Sequence, residues 1–316
     1  MYIEQGYKGD IGLWKYFLIP LGFIGLMVLN YAAIKLMNLD IDAIMEAEIS
    51  RKGANRFLVE MLIPFVVGLG LLFVWVKFIH KQTLTSLTTS RRRIDWKRIF
   101  FAFGLWSVIT ICITGLDIFF FSPEDYLMNF NWSSFVYLLI IALLLIPIQT
   151  SFEEYLFRGY MMQGIGIMAK NRWVPLVFTS VLFGLMHMGN PEVEKLGAGI
   201  MVYYIGTGFF LGILTLMDKG LELALGFHAA NNLVTALLVT ADATAFQVDA
   251  IYKNTAEITL GWDVFIPVFI IFPILLFIFS KKYNWTDWKE RLTGKVRPQE
   301  VFLAQQIDTI GVQEHS

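Results

Sequence analysis

Six polar residues stand where a chain this apolar can least accommodate them: Glu153, Glu154, Arg158, His187, His228 and Asn232. All lie within long apolar runs, and ionisable side chains at such positions are costly enough to be read first as functional, usually facing the interior of a helix bundle. Glu154 and Arg158 are spaced i, i+4 with the acid N-terminal to the base, so on a helix they share a face and can pair. Glu153 points about 100° round the axis from Glu154. No cation near in sequence shares its face, so it needs a proton, a metal or a partner from another helix.

The histidines extend the pattern. In "VLFGLMHMGN" Phe183 and His187 are four apart, so the aromatic ring can pack beside the imidazole; in "LGFHAANNLV" His228 and Asn232 share a helical face, and Ala229 and Ala230 leave room for a close neighbour. One histidine on an apolar helix is commonly a satisfied core residue. Here two of the four histidines follow the glutamate pair inside apolar runs, while His80 lies in a basic connection and His315 near the end. Two imidazoles and a carboxylate form a set suited to zinc with an open position for water. The same groups could act on a water molecule directly as acid and base. Both alternatives stand at this level. Lys35, Lys77, Glu60 and Asp117, near the ends of apolar runs, read as snorkelling or interfacial side chains.

The elements that must position these groups follow from composition. Of 316 residues, 56% are hydrophobic and 16% charged, whereas a soluble domain is nearer a quarter charged. Runs approaching about 20 apolar residues, bounded by charged or turn-forming residues, suit helices that cross ~30 Å of hydrocarbon. Spans of a β-barrel would be about ten residues long with alternating polarity, which this sequence lacks. The expected fold is therefore all-α, a polytopic membrane helix bundle of about eight transmembrane helices near 12–36, 57–79, 98–121, 134–166, 173–190, 195–217, 221–241 and 262–280. On that reading Glu153 and His187 sit at similar depths, ~21–22 Å from the inner ends of their helices, and can meet.

Lysine and arginine set the orientation. The connection "KFIHKQTLTSLTTSRRRIDWKR" is the most basic, and "SKKYNWTDWKERLTGKVR" is basic too, so both are expected inside and both termini cytosolic. The connection "NLDIDAIMEAEISRKGANR" dissents, since Arg51, Lys52 and Arg56 would then lie outside. The opening "MYIEQGYKGD" lacks a cleavage-site pattern and reads as a retained cytosolic end. Residues 1–280 read as one membrane domain. Residues 281–316 form a short polar tail, either disordered or lying on the membrane through Trp285 and Trp288. The single Cys112 permits neither an intrachain disulfide nor a cysteine zinc cluster. A net charge of −1 gives no field for nucleic acid. Oligomeric state is not legible.

Taken in order, Glu153-Glu154-Tyr155-Leu156-Phe157-Arg158, Phe183-Gly184-Leu185-Met186-His187 and His228-Ala229-Ala230-Asn231-Asn232 resemble the motifs of the CPBP family of intramembrane proteases, which includes the Rce1-type CAAX prenyl endopeptidases and bacterial Abi proteins. The resemblance covers about residues 140–240 and implies hydrolysis of a peptide bond in a membrane-associated or lipidated peptide or protein, with membrane lipids as surroundings. It implies Glu153 as general base, His187 as its partner in activating water, and His228 and Asn232 as stabilisers of the oxyanion. Glu154, Arg158 and Phe183 would support the site. In a zinc-dependent version Glu153, His187 and His228 would be the ligands, with Glu154 as base. A bacterial cytoplasmic-membrane enzyme is the expectation. Two rivals are an ion- or proton-coupled transporter, against which the lack of inverted repeats speaks, and a non-catalytic immunity or adaptor protein of the same fold.

Overall fold

All eight apolar segments are helical in the computed structural model, which describes residues 1–12, 14–242 and 244–305; His315 lies outside the described residues. The helices are α1 (Lys15–Leu36), α2 (Ile41–Lys52), α3 (Ala54–Ile79), α4 (Leu84–Thr88), α5 (Trp96–Phe121), α6 (Trp132–Ala169), α7 (Trp173–Leu185), α8 (Pro191–Asp218), α9 (Glu222–Leu238), α10 (Trp262–Lys282) and α11 (Trp288–Thr293). Hydrocarbon offers the backbone no hydrogen-bond partners, so these runs close their own bonds as helices. Six of them, α1, α3, α5, α6, α8 and α10, are long and apolar enough to cross a membrane. The protein is an integral membrane helix bundle.

Two of the expected spans are shorter than the sequence suggests. The helix α7 holds 13 residues, ~20 Å at 1.5 Å per residue, against ~30 Å of hydrocarbon. It stops at Leu185 because "GNP" follows: Asn190 is extended (ψ 144°) ahead of Pro191, as a residue preceding proline must be. His187 therefore lies on the turn after α7. The helix α9 holds 17 residues. A second departure from the all-α expectation is a small sheet over the loop end of the bundle, β1 (Tyr126–Met128), β2 (Val239–Thr240) and β3 (Tyr252–Asn254), with β3 antiparallel to β1 and parallel to β2.

The helix α6 is the central element. It carries a π-helical turn at Tyr155–Met161, directly after the glutamate pair, and this turn is wholly buried. Single π turns inside α-helices recur at functional sites because they re-aim side chains. The helix α9 packs against α5 and α6, and α7 against α8. Glycines permit both approaches: a Cβ on Gly226 would strike the Ile99 carbonyl of α5, and one on Gly208 the Ser180 carbonyl of α7.

The dissenting cations are compensated locally. Arg51 and Lys52 pair with Glu48, Lys52 and Arg56 with Glu60, and Lys195 with Asp42 at 2.8 Å. At the basic end, Arg91 binds Asp218 at 2.9 Å and Glu222 at 3.1 Å, and Arg98 also pairs with Asp218. The described part of the tail folds back onto this end and is neither loose nor laid on a bilayer through Trp285. That indole is buried and donates to Asp218 at 3.2 Å, Arg291 donates to the Met217 carbonyl at 2.6 Å, and Arg172 bridges Glu290 and Glu4.

Candidate active site

Arg158 and Glu154 have no solvent exposure at all and form an ion pair at 2.8 Å, as their spacing predicts. A buried guanidinium needs more than one partner. The second Arg158 nitrogen donates to the Gly208 carbonyl at 3.2 Å, and the guanidinium lies 4.0 Å from the centre of the Phe183 ring. Thus α6, α7 and α8 all contribute to holding it.

His228 stands between the two glutamates. Its Nδ1 is 2.9 Å from Glu154 Oε1 and its Nε2 is 3.5 Å from Glu153 Oε2. Because Glu154, paired with arginine, acts as an acceptor, Nδ1 carries the hydrogen. Nε2 is left to face Glu153. The outer Glu153 oxygen, Oε1, accepts from Gln149 Nε2 at 2.7 Å, and Gln149 Oε1 accepts from Asn232 Nδ2 at 3.1 Å. Glu153 and His228 are nearly enclosed, their side chains 12% and 6% exposed, so charge developing here is poorly screened.

His187 is placed differently from the sequence expectation. It does pack on Phe183 (ring centroids 4.9 Å apart), but its Nδ1 donates back to the Phe183 carbonyl at 2.9 Å, the bond of a helix end. Its other face stacks on Tyr204 of α8, 4.2 Å away and 20° from parallel. The expected direct meeting with Glu153 is replaced by contact through Phe183, whose ring also meets His228 at 5.8 Å. With Nδ1 occupied, Nε2 is the nitrogen of His187 available to a substrate or water.

Four neighbours of this group escaped the sequence reading. Gln149 was findable, since it lies four residues before Glu153 on the same helix face. Tyr204 and Glu192 were not, because no helical spacing ties them to His187; Asn190, three residues on, has its backbone N–H on the His187 carbonyl at 3.0 Å, but nothing in the sequence pairs its side chain with Glu192. The Tyr204 hydroxyl donates to Glu192 Oε1 at 2.5 Å and Asn190 Nδ2 donates to the same oxygen at 3.1 Å, while Glu192 Oε2 is buried without a partner.

The zinc alternative can be tested against this donor arrangement. Among the described residues no group of three or more His, Cys, Asp or Glu side chains is arranged to hold a metal ion. Of the expected ligands, His228 Nε2 and Glu153 Oε2 face each other, while the His187 ring lies against Phe183 and Tyr204, so the three do not converge on one point. The residues present do not fit tetrahedral zinc, and no step below passes through a metal.

Comparison with known proteins places this geometry. The family described as Type II CAAX prenyl endopeptidase Rce1-like matches residues 131–234, a stretch that includes every side chain of the two glutamate contacts and of the His187 turn. The uncharacterized protein YyaK of Bacillus subtilis (strain 168) is 32% identical over 240 residues, 74% of this chain and 80% of that protein. No solved structure matches the chain significantly. With three motifs brought to one buried site and a relative aligned along most of its length, the chain belongs to the Rce1-like family and has the fold of a CAAX-type intramembrane protease.

Proposed function

We propose that this protein is an intramembrane endopeptidase that hydrolyses a peptide bond in a membrane-associated or lipidated peptide or protein, with Glu153 as general base. The observation that carries the reading is the line Glu154–His228–Glu153, two carboxylates on opposite nitrogens of one imidazole inside a bundle. Its charge balance suits proton transfer. Arg158 and Glu154 cancel; a protonated Glu153 facing neutral His228 and an ionised Glu153 facing a charged His228 both give a net charge of zero. A proton can therefore cross the 3.5 Å between Glu153 Oε2 and His228 Nε2 without creating net charge in a poorly screened site.

In the reaction, a water oxygen bonds the scissile carbonyl carbon as Glu153 Oε2 takes its proton, with His187 Nε2 orienting the water. The oxyanion is met by His228 and by the second amide hydrogen of Asn232, the first being held by Gln149. Collapse breaks the C–N bond, and the proton held by Glu153 passes to the leaving nitrogen. Glu154 keeps His228 in one tautomer, and Arg158 and Phe183 keep Glu154 in place. The basic connections and the Bacillus relative support placement in a bacterial cytoplasmic membrane with cytosolic termini.

The test uses full-length protein in detergent and an internally quenched peptide ending in a farnesylated Cys-aliphatic-aliphatic-Met, with an unprenylated membrane peptide beside it. Glu153→Gln and His228→Ala should each lower kcat by about 100-fold or more while leaving the yield of folded protein intact. His187→Ala should do the same. Zinc measured per protomer should fall well below one. Cleavage by Glu153→Gln at the wild-type rate would overturn the assignment, and one zinc per protomer lost on His187→Ala would replace it with a metal mechanism.

A further inference from the structure

A continuous chain of hydrogen bonds reaches Glu153 from the far side of the bundle. Trp106 Nε1 of α5 donates to Asn231 Oδ1 at 3.1 Å, and Asn231 Nδ2 donates to Asn232 Oδ1 at 3.1 Å. Asn232 Nδ2 then donates to Gln149 Oε1 at 3.1 Å, and Gln149 Nε2 to Glu153 Oε1 at 2.7 Å. Five residues on three helices are joined by four bonds.

The ends of this chain fix its direction. An indole N–H can only donate, and a carboxylate can only accept. Each of the three amides between them has one oxygen and one NH2, so turning any of them over would set oxygen against oxygen or N–H against N–H, a mismatch that is costly at buried Gln149 and still unfavourable at the half-buried Asn231 and Asn232. The start is rigid, since the Trp106 ring is buried and packs 4.5 Å from Phe227. Every amide must then present its oxygen toward Trp106 and its nitrogen toward Glu153.

We propose that Trp106, Asn231 and Gln149 are positioning residues, which act with Asn232 as a one-way amide relay that confines the proton of Glu153 to Oε2. With Oε1 held as an acceptor from Gln149, a proton on Glu153 sits on the oxygen that faces His228 Nε2 at 3.5 Å. The relay also favours the ionised form, because a hydrogen bond donated to a carboxylate stabilises its charge. A fixed Asn232 amide plane follows as well. The contribution to turnover rests on the proteolytic reading above; the effect on the Glu153 proton does not.

The test therefore has two independent readouts. The first is labelling by dicyclohexylcarbodiimide, an apolar reagent that attacks protonated carboxyls, followed site by site by mass spectrometry on full-length protein in detergent. Gln149→Met, Asn231→Leu and Trp106→Phe break the chain at its last, second and first links, one on each helix. Each should raise the labelling rate of Glu153 about three- to tenfold, Trp106→Phe least. Glu154, sealed against Arg158, should stay unlabelled, and its labelling in any variant would mark misfolding and leave the other two variants to decide. The second readout is cleavage of the farnesylated peptide, where Gln149→Met should lower kcat about tenfold or more with KM unchanged.

A rise in Glu153 labelling with Gln149→Met alone, the others matching wild type, would reduce the relay to a single bond and overturn the proposal. No rise in any variant would overturn it too. A wild type that cleaves neither peptide while the labelling pattern holds would count against the proteolytic reading and leave the relay standing.

Discussion

Replacing Arg158 by methionine isolates the energetics of the buried pair. The substitution removes the 2.8 Å ion pair to Glu154, the 3.2 Å bond to the Gly208 carbonyl and the contact 4.0 Å above the Phe183 ring. It leaves Glu154 fully buried, its Oε2 without a partner as before and its Oε1 with His228 alone. Breaking a buried pair by removing one partner costs about 3–5 kcal/mol. Methionine fills much of the arginine volume, so little of this is cavity. A loss of about 4 kcal/mol is roughly a thousandfold in the folding equilibrium, and a large part of the ~5–15 kcal/mol typical of a folded domain. Arg158→Met should therefore unfold at clearly lower denaturant in a sodium dodecyl sulfate titration of the detergent-solubilised protein, followed by circular dichroism and tryptophan fluorescence. The companion is the double variant Arg158→Met with Glu154→Gln. Its neutral amide can still accept from His228 Nδ1, so it should recover to within about 1–2 kcal/mol of wild type. An Arg158→Met protein within about 1 kcal/mol of wild type, or a double variant no better than the single, would refute the claim that the pair is what makes two adjacent glutamates tolerable here.

Two further expectations concern groups outside the sequence motifs. Tyr204→Leu removes the ring stacked on His187 and should lower kcat about three- to tenfold, whereas Tyr204→Phe, which keeps the stack and loses only the hydroxyl's bonds to Glu192 and from Asn190, should stay within about threefold of wild type; equal losses would show that the stack does not orient His187. His80 is buried beside Tyr160, whose hydroxyl accepts from its Nε2 at 2.8 Å, and burial, with Lys15 adding to it, pushes its pKa down to about 4. The unfolded chain, near 6.5, takes up a proton first, so stability should fall as pH is lowered from about 6.5 to about 4. His80→Gln should flatten the midpoint-against-pH curve over that window, and parallel curves for wild type and variant would refute the assignment.

What could be read without a structure is what depends on near neighbours in the chain. Hydropathy located all eight helical segments because burying an unpaired backbone in hydrocarbon is prohibitive, whatever the packing. The Glu154–Arg158 pair and the Phe183–His187 contact followed from i, i+4 spacing, which survives into the fold because residues four apart remain neighbours on a helix. The early end of α7 was also written in the chain, in Asn190 ahead of Pro191, but an apolar count reads through it.

The rest was decided by how the helices pack. Which of the two glutamates each imidazole nitrogen meets depends on the rotation of α9 against α6. That rotation is set by Gly226 of α9 lying on the Ile99 carbonyl of α5, an element remote in the chain from both, so no periodicity encodes it. The stack of Tyr204 on His187 needs α8 to return beside the turn that ends α7. The direction of the amides between Trp106 and Glu153 exists only once α5, α9 and α6 are in contact, for it comes from a donor at one end and an acceptor at the other. Local sequence fixes which face of a helix a side chain occupies; only tertiary contact fixes which group on another helix it meets, because that depends on the depth and rotation at which two helices pack.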